Sequence, residues 1–378
     1  MRLDLPDFRL EVYLGEWEFK ARYHLTASDA ETMTVAELLA LATPEEREAF
    51  ENLALGYVPV PGGEELRSAV AATYESVDAA DVLTFAGAEE ALFWALQELA
   101  GPGDHAIVTV PNYQSTESIP LAAGADVSGL LLRAENAWGL DMDELRSLLR
   151  PETRLVVVNW PNNPTGGVAR PEDFRALVEL CDERGIRLLS DEVYRGVELD
   201  PARMLPQAAD LSETAVSLSV MSKAYGLPGL RIGWLACRDR ELLGRLERRK
   251  HYTSICNAGP SEALATIALR NGEALRARTR ATLAANLPLF EAFFADWDEL
   301  FEWEPLTGGC VCFPRYLGQE GVEEFCRALL EEAGVVLLPA SIFASPLAEV
   351  PADRFRIGLG RRDPEPALAA FGELLRGR

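Results

Sequence analysis

The sequence has few lysines, few histidines and no paired cysteines, and these shortages exclude whole classes of protein. Only three lysines, Lys20, Lys223 and Lys250, and three histidines occur in 378 residues. The histidines are scattered and the six cysteines show no C-x-x-C spacing, so the pattern predicts no metal site and argues against zinc in particular. We expect the cysteines to be reduced packing residues.

Positive charge is also scarce. The chain has 36 Lys plus Arg against 60 Asp plus Glu, which gives a formal net charge of −24. A nucleic-acid partner would need a concentrated basic face, and none is visible. No run is long and apolar enough to span a bilayer, and the start M-R-L-D-L-P-D-F lacks the apolar core of a secretory signal. We therefore expect a cytoplasmic protein that binds neither nucleic acid nor membrane.

The middle of the chain alternates apolar, strand-like runs with stretches of helical periodicity. The strands are predicted at His105–Val110, Arg154–Trp160, Ile186–Ser190 and Ala215–Val220. The helices between them include 87–100, 142–150 and 171–184. This alternation predicts an α/β fold with a mostly parallel central sheet covered by helices.

The pattern changes towards the C-terminus. A long helical stretch from about 260 to 293 is followed by short strands around 309–313 and 335–338 and by a terminal helix. We expect a smaller α+β domain there. The predicted division is an N-terminal arm or small-domain segment at 1–40, a large domain at 41–285 and a small C-terminal domain at 286–378.

Candidate catalytic residues follow the predicted strands, where open α/β sheets place their ligand sites. Lys223 lies in the run S-L-S-V-M-S-K-A-Y-G-L-P-G-L-R-I-G-W, and a desolvated lysine can attack a carbonyl whereas arginine cannot. Asn163 lies in the rigid loop P-N-N-P-T-G, and Asp191 begins D-E-V-Y. The segment T-F-A-G-A-E-E-A-L turns through Gly87 into a helix whose free amides suit a phosphate. Singly, each motif has a structural explanation, such as a helix cap for Asp191.

Together these motifs resemble the fold type I, pyridoxal-phosphate-dependent aminotransferases of class I/II, the aspartate aminotransferase superfamily. N-P-T-G, D-E-V-Y and S-K-A-Y-G-L-P-G-L-R-I-G occur in the family's order. The spacing from Asn163 to Asp191 also fits the family, and the resemblance covers nearly the whole chain. A chance match to one motif is easy, but three in order are highly specific.

The resemblance implies roles for five residues around the cofactor. Lys223 would form a Schiff base with pyridoxal 5'-phosphate and then carry a proton as general acid and base. Asp191 would pair with the pyridine nitrogen, which keeps the ring able to accept electrons. Asn163 and Tyr194 would hydrogen-bond the phenolic oxygen, with Asn163 also beside the substrate, and Tyr113 would stack on the ring.

The resemblance also implies a phosphate site and a shared dimer interface. The phosphate would be bound by the helix start at Gly87, Ala88 and Glu89, and by Ser222 and Arg231. Many relatives carry Ser three residues before the lysine, where this chain has Val220, so a contact from Ser219 stays open. Tyr57, in G-Y-V-P-V-P-G-G, would reach the phosphate in the neighbouring subunit and thus implies a homodimer with shared sites.

Arg356, in R-F-R-I-G-L-G, matches the family arginine that grips the substrate α-carboxylate with a bidentate fork. Arg354 and Arg361 are competing neighbours, and the phrase F-R-I-G favours Arg356. Lys20 and Lys250 stand among charged residues, which favours exposed surface positions for both.

The predicted activity is transfer of the amino group of an L-amino acid to a 2-oxo acid. The alternative is a C–S or β-eliminating lyase, or an amino-acid cyclase, on the same fold. A regulatory protein built on an inactive body is disfavoured because Lys223, Asp191 and Arg356 are all present. Acidic residues near the start, including Glu16, Glu18, Asp29 and Glu31, could meet a basic substrate if the arm covers the site, although coincidence is the simpler explanation among 60 acidic residues.

Overall fold

The computed structural model of the chain describes residues 3–377. The strands are β1 (Tyr23–His24), β2 (Val82–Phe85), β3 (His105–Val110), β4 (Asp126–Leu131), β5 (Thr153–Asn159), β6 (Arg187–Asp191), β7 (Val216–Val220), β8 (Gly233–Ala236), β9 (Phe301–Glu302), β10 (Val311–Cys312), β11 (Arg315–Tyr316), β12 (Val335–Val336), β13 (Leu338–Pro339) and β14 (Phe355–Gly358). The helices are α1 (Arg9–Trp17), α2 (Val35–Leu39), α3 (Pro44–Glu51), α4 (Glu64–Ala71), α5 (Ala88–Leu99), α6 (Ser115–Ala123), α7 (Met142–Leu148), α8 (Pro171–Arg184), α9 (Ala208–Leu211), α10 (Arg240–Lys250), α11 (Gly259–Arg270), α12 (Gly272–Ala295), α13 (Val322–Ala333) and α14 (Glu365–Arg376).

A seven-stranded sheet with the order β2-β8-β7-β6-β5-β3-β4 forms the centre of the fold. Neighbours are parallel from β4 through β3, β5 and β6 to β7, whereas β8 runs antiparallel to both β2 and β7. All six residues of β3 are buried, as expected for a parallel strand covered on both faces by helices. This topology confirms the predicted α/β fold class.

Helix α8 shows how local signals set an element. Pro171 occupies its first turn, where the missing N–H costs nothing, and Gly185 ends it in the left-handed conformation. Phe174, Leu177 and Cys181 lie at helical spacing and are buried. Burial of each large apolar side chain contributes roughly 1.5–3 kcal/mol, so packing holds α8 on the sheet.

The helical stretch predicted from about 260 to 293 consists of two helices, α11 and α12, that meet at Asn271. The side-chain Nδ2 of Asn271 donates to the Ile267 carbonyl oxygen at 2.9 Å. The asparagine side chain competes with the helical backbone in this way, which favours a break between two helices at this position.

The N-terminal segment joins the C-terminal part of the chain. Strand β1 pairs in parallel with β12, and β10, β14 and β13 form a three-stranded sheet of antiparallel neighbours. Helices α13 and α14 pack against each other beside β12. The boundary predicted at residue 285 lies within α12, and the division into domains stays a prediction.

Lys250 is buried, and the predicted surface position was wrong. Its side chain is 0% exposed, and its Nζ donates to the Val60 carbonyl oxygen at 2.6 Å. The ammonium also lies 5.7 Å from the centre of the Phe85 ring. The charged neighbours in E-R-R-K-H misled the prediction because only one face of α10 is exposed to water.

All six cysteines are free thiols, and only Cys256 is partly exposed. Within the described part of the chain, no helix combines the length and the apolar character that crossing a bilayer requires.

Candidate active site

A cavity of about 360 Å³ opens where the parallel strands end. Its walls include Asn159 of β5, Asp191 of β6 and Val220 of β7, which are the last residues of neighbouring strands. Ten of the predicted site residues line it: Ala88, Glu89, Tyr113, Asn163, Asp191, Tyr194, Ser222, Lys223, Arg231 and Arg356. The carboxyl edge of the sheet therefore gathers residues that are far apart in the sequence, as open α/β sheets generally do.

Lys223 follows β7 and projects into this cavity. Its Nζ donates a hydrogen bond to the Ser28 hydroxyl at 2.7 Å. Burial lowers the pKa of Lys223, while the negative charge of Asp29 opposes that change. A lowered pKa increases the fraction of neutral amine, which is the form that attacks a carbonyl carbon.

Asp191 is the last residue of β6 and is 5% exposed. Its Oδ1 accepts a hydrogen bond from the Val193 backbone at 3.1 Å. Burial raises the pKa of Asp191 to about 7, and the Val193 hydrogen bond and the Lys223 cation act in the opposite direction. No ion pair among residues 3–377 includes Asp191. A buried carboxyl group of this kind suits a ligand N–H that can share a proton with it.

Asn163 and Tyr194 form a rigid wall of the cavity and are 6% and 1% exposed. The Asn163 backbone N–H donates to Asn159 Oδ1 at 2.8 Å, which holds the loop after β5. The Tyr194 hydroxyl donates to the Ser28 carbonyl oxygen at 2.6 Å. Their predicted contacts with a cofactor oxygen stay predictions.

The start of α5 has the form of an anion site. Gly87, directly before the helix, has a φ of +94°, and a Cβ added there would lie 2.5 Å from Nη2 of Arg231. The first N–H groups of a helix have no intrahelical partner, so those of Ala88 and Glu89 are available to a ligand. Backbone N–H groups beside a guanidinium suit a phosphate. Gly87 is thus next to the cavity. Val220 lines the cavity and Ser219 does not, although the sequence left open a phosphate contact from Ser219.

Arg356 is almost completely buried at 1% exposure. Its Nη1 donates to Asn163 Oδ1 at 2.9 Å and its Nη2 to the Thr26 carbonyl oxygen at 2.8 Å. Its Nε has no hydrogen-bond partner among the described residues. Burial lowers the pKa of Arg356 to about 10, so it remains a cation near neutral pH. A buried guanidinium with a free donor in a cavity suits a carboxylate ligand.

The two competing arginines have other partners. Arg354 places its guanidinium 4.9 Å from the centre of the Trp138 ring and donates to the Phe313 carbonyl oxygen at 2.7 Å. Arg361 pairs with Asp29 at 2.7 Å. Neither lines the cavity, whereas Arg356 does. The role predicted for Arg356 stays a prediction.

Tyr57 is the predicted site residue that the structure does not bring to the cavity. Its side chain is 93% exposed. Tyr113 does line the cavity, where its ring centre lies 5.0 Å from that of Phe8 and its hydroxyl donates to Glu11 Oε1 at 3.3 Å. Burial raises the pKa of Tyr113, and the carboxylates of Glu89 and Glu11 raise it further.

Ser28 and the side chain of Glu89 are the functional groups that sequence reasoning missed. Ser28 is separated from Lys223 by 195 positions, and no motif links the two. Glu89 was predicted only for its backbone, yet its Oε1 accepts from the Ser115 hydroxyl at 2.6 Å and its Oε2 has no partner among the described residues. Burial raises the pKa of Glu89 to about 7. Glutamate is common at the start of a helix because its charge interacts favourably with the helix dipole. The sequence therefore provided no reason to place the Glu89 side chain in the cavity.

Residues 25–366 match the model of a known family, described as aminotransferase class I and II. The chain belongs to this family. It is 34% identical over 375 residues to capreomycidine synthase from Streptomyces vinaceus, with 98% of this chain and 94% of that protein covered. A PLP-dependent aminotransferase from Streptococcus suis superposes with a TM-score of 0.91 at 30% identity, covering 99% and 98% of the two chains. A solved PLP-dependent cyclase, OrfR, superposes with a TM-score of 0.89 at 29% identity, covering 100% and 99%.

The chain is thus an aminotransferase of fold type I, and pyridoxal 5'-phosphate is its cofactor. Features of the cavity itself suit this cofactor. The close approach at Gly87 and the start of α5 suit the phosphate, and buried Asp191 suits the pyridine nitrogen. Lys223 lines the same cavity and carries the amine that the cofactor's aldehyde requires.

Proposed function

We propose that this aminotransferase moves the amino group of an L-amino acid to a 2-oxo acid at Lys223, with Asp191 and Arg356 as its principal partners. The observation that carries this proposal is that all three side chains line one cavity beside the anion site at the start of α5. Bound pyridoxal 5'-phosphate supplies the aldehyde that takes up the amino group and the ring that draws electrons from the substrate α-carbon.

Lys223 would hold the cofactor by its aldehyde, and its Nζ would then move a proton. The neutral amine that burial favours can take the proton from the substrate α-carbon and hold it on Nζ. The Ser28 hydroxyl, 2.7 Å from Nζ, orients the amine during this transfer. Ser28 therefore acts as a positioning residue.

The other side chains hold and orient. Asp191 would share its proton with the ring nitrogen, and Asn163 and Tyr194 would hold the phenolic oxygen. Tyr113 would lie against the ring, while Arg231, Ser222 and the amides of the first turn of α5 would bind the phosphate. Arg356 orients the substrate by its α-carboxylate, with Asn163 holding the guanidinium in place at 2.9 Å.

We also propose a homodimer with shared sites. Leu55, Tyr57 and Tyr252 are 87%, 93% and 87% exposed, and Ile255 is 51% exposed. The segment around Tyr57 and the segment that follows Tyr252 are neighbours in space, because a Cβ at Gly259 would contact Val58 at 3.4 Å. Exposed apolar patches of this kind mark interaction surfaces. In the dimer, Tyr57 would reach the phosphate in the partner subunit.

A cytoplasmic location and the division at residues 40 and 285 are further proposals. The six free cysteines support the location, because thiols persist in reducing compartments. Pairing of β1 with β12 supports assigning the first segment to the same body as the C-terminal residues.

A half-reaction tests the proposed function. The purified enzyme is loaded with pyridoxal 5'-phosphate and mixed with single L-amino acids without an acceptor, while the cofactor spectrum and the products are followed. The proposal predicts that the cofactor converts to its amine form and that one 2-oxo acid is released per site. Lys223→Ala should abolish this conversion, and turnover at the wild-type rate in that variant would refute the mechanism.

A second candidate is supported by the relatives. One is named a synthase and another a cyclase, and both align over nearly the whole chain. An eliminating or cyclising enzyme on this fold would use the same residues for binding and for removal of the α-proton, because leaving groups and loop geometry decide the outcome. It would restore the cofactor's aldehyde form and release ammonia, a thiol or a ring product in the same half-reaction.

A further inference from the structure

The cavity contains more negative charge than the proposed cofactor contacts require. Lys223, Arg231 and Arg356 are the lysine and arginine residues in its lining, and the proposed function assigns each of them to the cofactor or to the α-carboxylate. His24 also lines it, but burial lowers the pKa of that imidazole, which favours its neutral form. No lining cation is left over for the substrate side chain.

Three carboxylates from the N-terminal segment, Glu11, Glu18 and Asp29, line the same cavity. We call this group the acidic wall. Only Asp29 has an ion-pair partner, Arg361 at 2.7 Å, and no ion pair among residues 3–377 includes Glu11 or Glu18. Burial raises the pKa of Glu18, and the nearby charges of Asp29 and Glu11 raise it further, whereas those of Arg361 and Lys223 lower it. Glu11 and Glu18 are therefore acidic groups of the wall that no ion pair within residues 3–377 neutralises.

Specific contacts hold α1, which contains Glu11 and ends directly before Glu18, beside the cavity. The Arg9 backbone N–H donates to Gln114 Oε1 at 3.0 Å, and Gln114 Nε2 donates to the Asp7 carbonyl oxygen at 2.8 Å. Phe8 packs on Tyr113, and Leu10 and Leu14 of the same helix line the cavity. This docking of α1 positions Glu11 and Glu18.

An independent observation indicates that a ligand spans this space. Arg356 is 1% exposed, lines the cavity and keeps an unpartnered Nε. The Nε2 of His24, in the same lining, also has no partner among the described residues. Because Arg356 and the acidic wall line one cavity, a ligand that binds Arg356 through its carboxylate shares that cavity with Glu11, Glu18 and Asp29.

We infer that the amino-acid substrate carries a cationic side chain, a guanidinium or an ammonium, and that Glu11, Glu18 and Asp29 recognise it. This inference rests on the proposed function and adds the substrate class. A dicarboxylic amino acid would place its second carboxylate against three others with no lining cation left to pair with it, which is unfavourable. A cationic group would form charge-assisted hydrogen bonds with the wall.

The test compares matched pairs of amino acids in the half-reaction. L-Arginine and L-citrulline have nearly the same shape but differ in charge, as do L-lysine and L-norleucine. We expect kcat/KM for L-arginine to exceed that for L-citrulline by at least roughly tenfold, which corresponds to about 1.4 kcal/mol. The double variant Glu11→Gln, Glu18→Gln should lower this ratio by roughly tenfold. Glu16→Gln is the matched control because Glu16 lies on α1, is exposed and does not line the cavity.

A binding measurement separates this inference from the proposed reaction. 5-Guanidinopentanoate has the carboxylate and the guanidinium but no amine to react, and 5-ureidopentanoate is its uncharged counterpart. Calorimetry on the loaded enzyme should show that the guanidino compound binds at least roughly tenfold more tightly, and the double variant should lose this preference. If no amino acid reacts but this preference holds, the proposed function fails and the inference stands. If neutral or dicarboxylic amino acids react best, or both compounds bind equally, the inference is overturned while transamination stands.

Discussion

Arg356 provides the sharpest prediction about substrate binding. Its guanidinium is held by Asn163 at 2.9 Å and by the Thr26 carbonyl at 2.8 Å, and its exposure is 1%. Arg356→Ala would leave the substrate carboxylate without a partner in a buried site. Breaking a buried ion pair costs about 3–5 kcal/mol, so kcat/KM should fall by roughly two to four orders of magnitude. Arg356→Lys keeps the charge but loses the fork, and we expect a fall of roughly one to two orders.

The assay measures the half-reaction with a free amino acid and with its methyl ester. The ester lacks the carboxylate, so its kcat/KM should be nearly the same in the wild type and in Arg356→Ala. Arg354→Lys is the matched control: Arg354 is similarly buried but packs on Trp138 outside the cavity, so the acid-to-ester ratio should not change. An equal loss with acid and ester in Arg356→Ala would refute the proposed carboxylate contact.

Three further predictions follow from other contacts. Burial raises the pKa of Asp191 to about 7, so the folded cofactor-free protein retains a proton that the unfolded chain releases at lower pH. That stabilisation is present at low pH and is lost as the pH rises from about 4 to about 7. Asp191→Asn should therefore flatten the fall in the calorimetric unfolding temperature over this pH range. An unchanged profile would contradict a raised pKa for Asp191. Ser28→Ala should slow the half-reaction by about tenfold in stopped-flow measurements while Ser28→Thr keeps most of the rate, and equal rates in both variants would exclude the hydroxyl as the positioning group. Lys223→Ala and Tyr57→Ala are mixed in equal amounts, unfolded and refolded together. About half of the dimers are then mixed and each has one complete site, so about a quarter of the wild-type activity should return. No gain over the separate variants would argue against shared sites.

The parallel sheet and much of the site were predictable from the sequence, because both depend on local signals. The strand predicted at His105–Val110 is β3, and the helix predicted from Pro171 to Arg184 is α8. Motifs that follow strands share an edge of the sheet, so placing Asn163 and Asp191 after β5 and β6 already brought them together.

The remaining features depend on tertiary contacts that no local pattern encodes. Ser28 meets Lys223 only because β1 pairs with β12 and carries the N-terminal segment over the site. The sequence suggested Glu16, Glu18, Asp29 and Glu31 as residues that could meet a basic substrate, but only Glu18 and Asp29 of these line the cavity. Whether the N-terminal arm covers the cavity depends on contacts such as that of Arg9 with Gln114, which the sequence does not encode locally. The predicted surface position of Lys250 was wrong for the same reason. Its burial depends on contact with the chain near Val60 and not on its neighbours in the sequence.

Nitrogen transfer tests the central claim most directly. The loaded enzyme is given an L-amino acid labelled with nitrogen-15 at the α-amino group, together with an unlabelled 2-oxo acid, and the products are analysed by mass spectrometry. Transamination predicts that the label appears in the amino acid formed from the acceptor, and that Lys223→Ala forms none. Label found in free ammonia or retained in a cyclised product, with no labelled acceptor, would contradict the account and favour the eliminating or cyclising alternative.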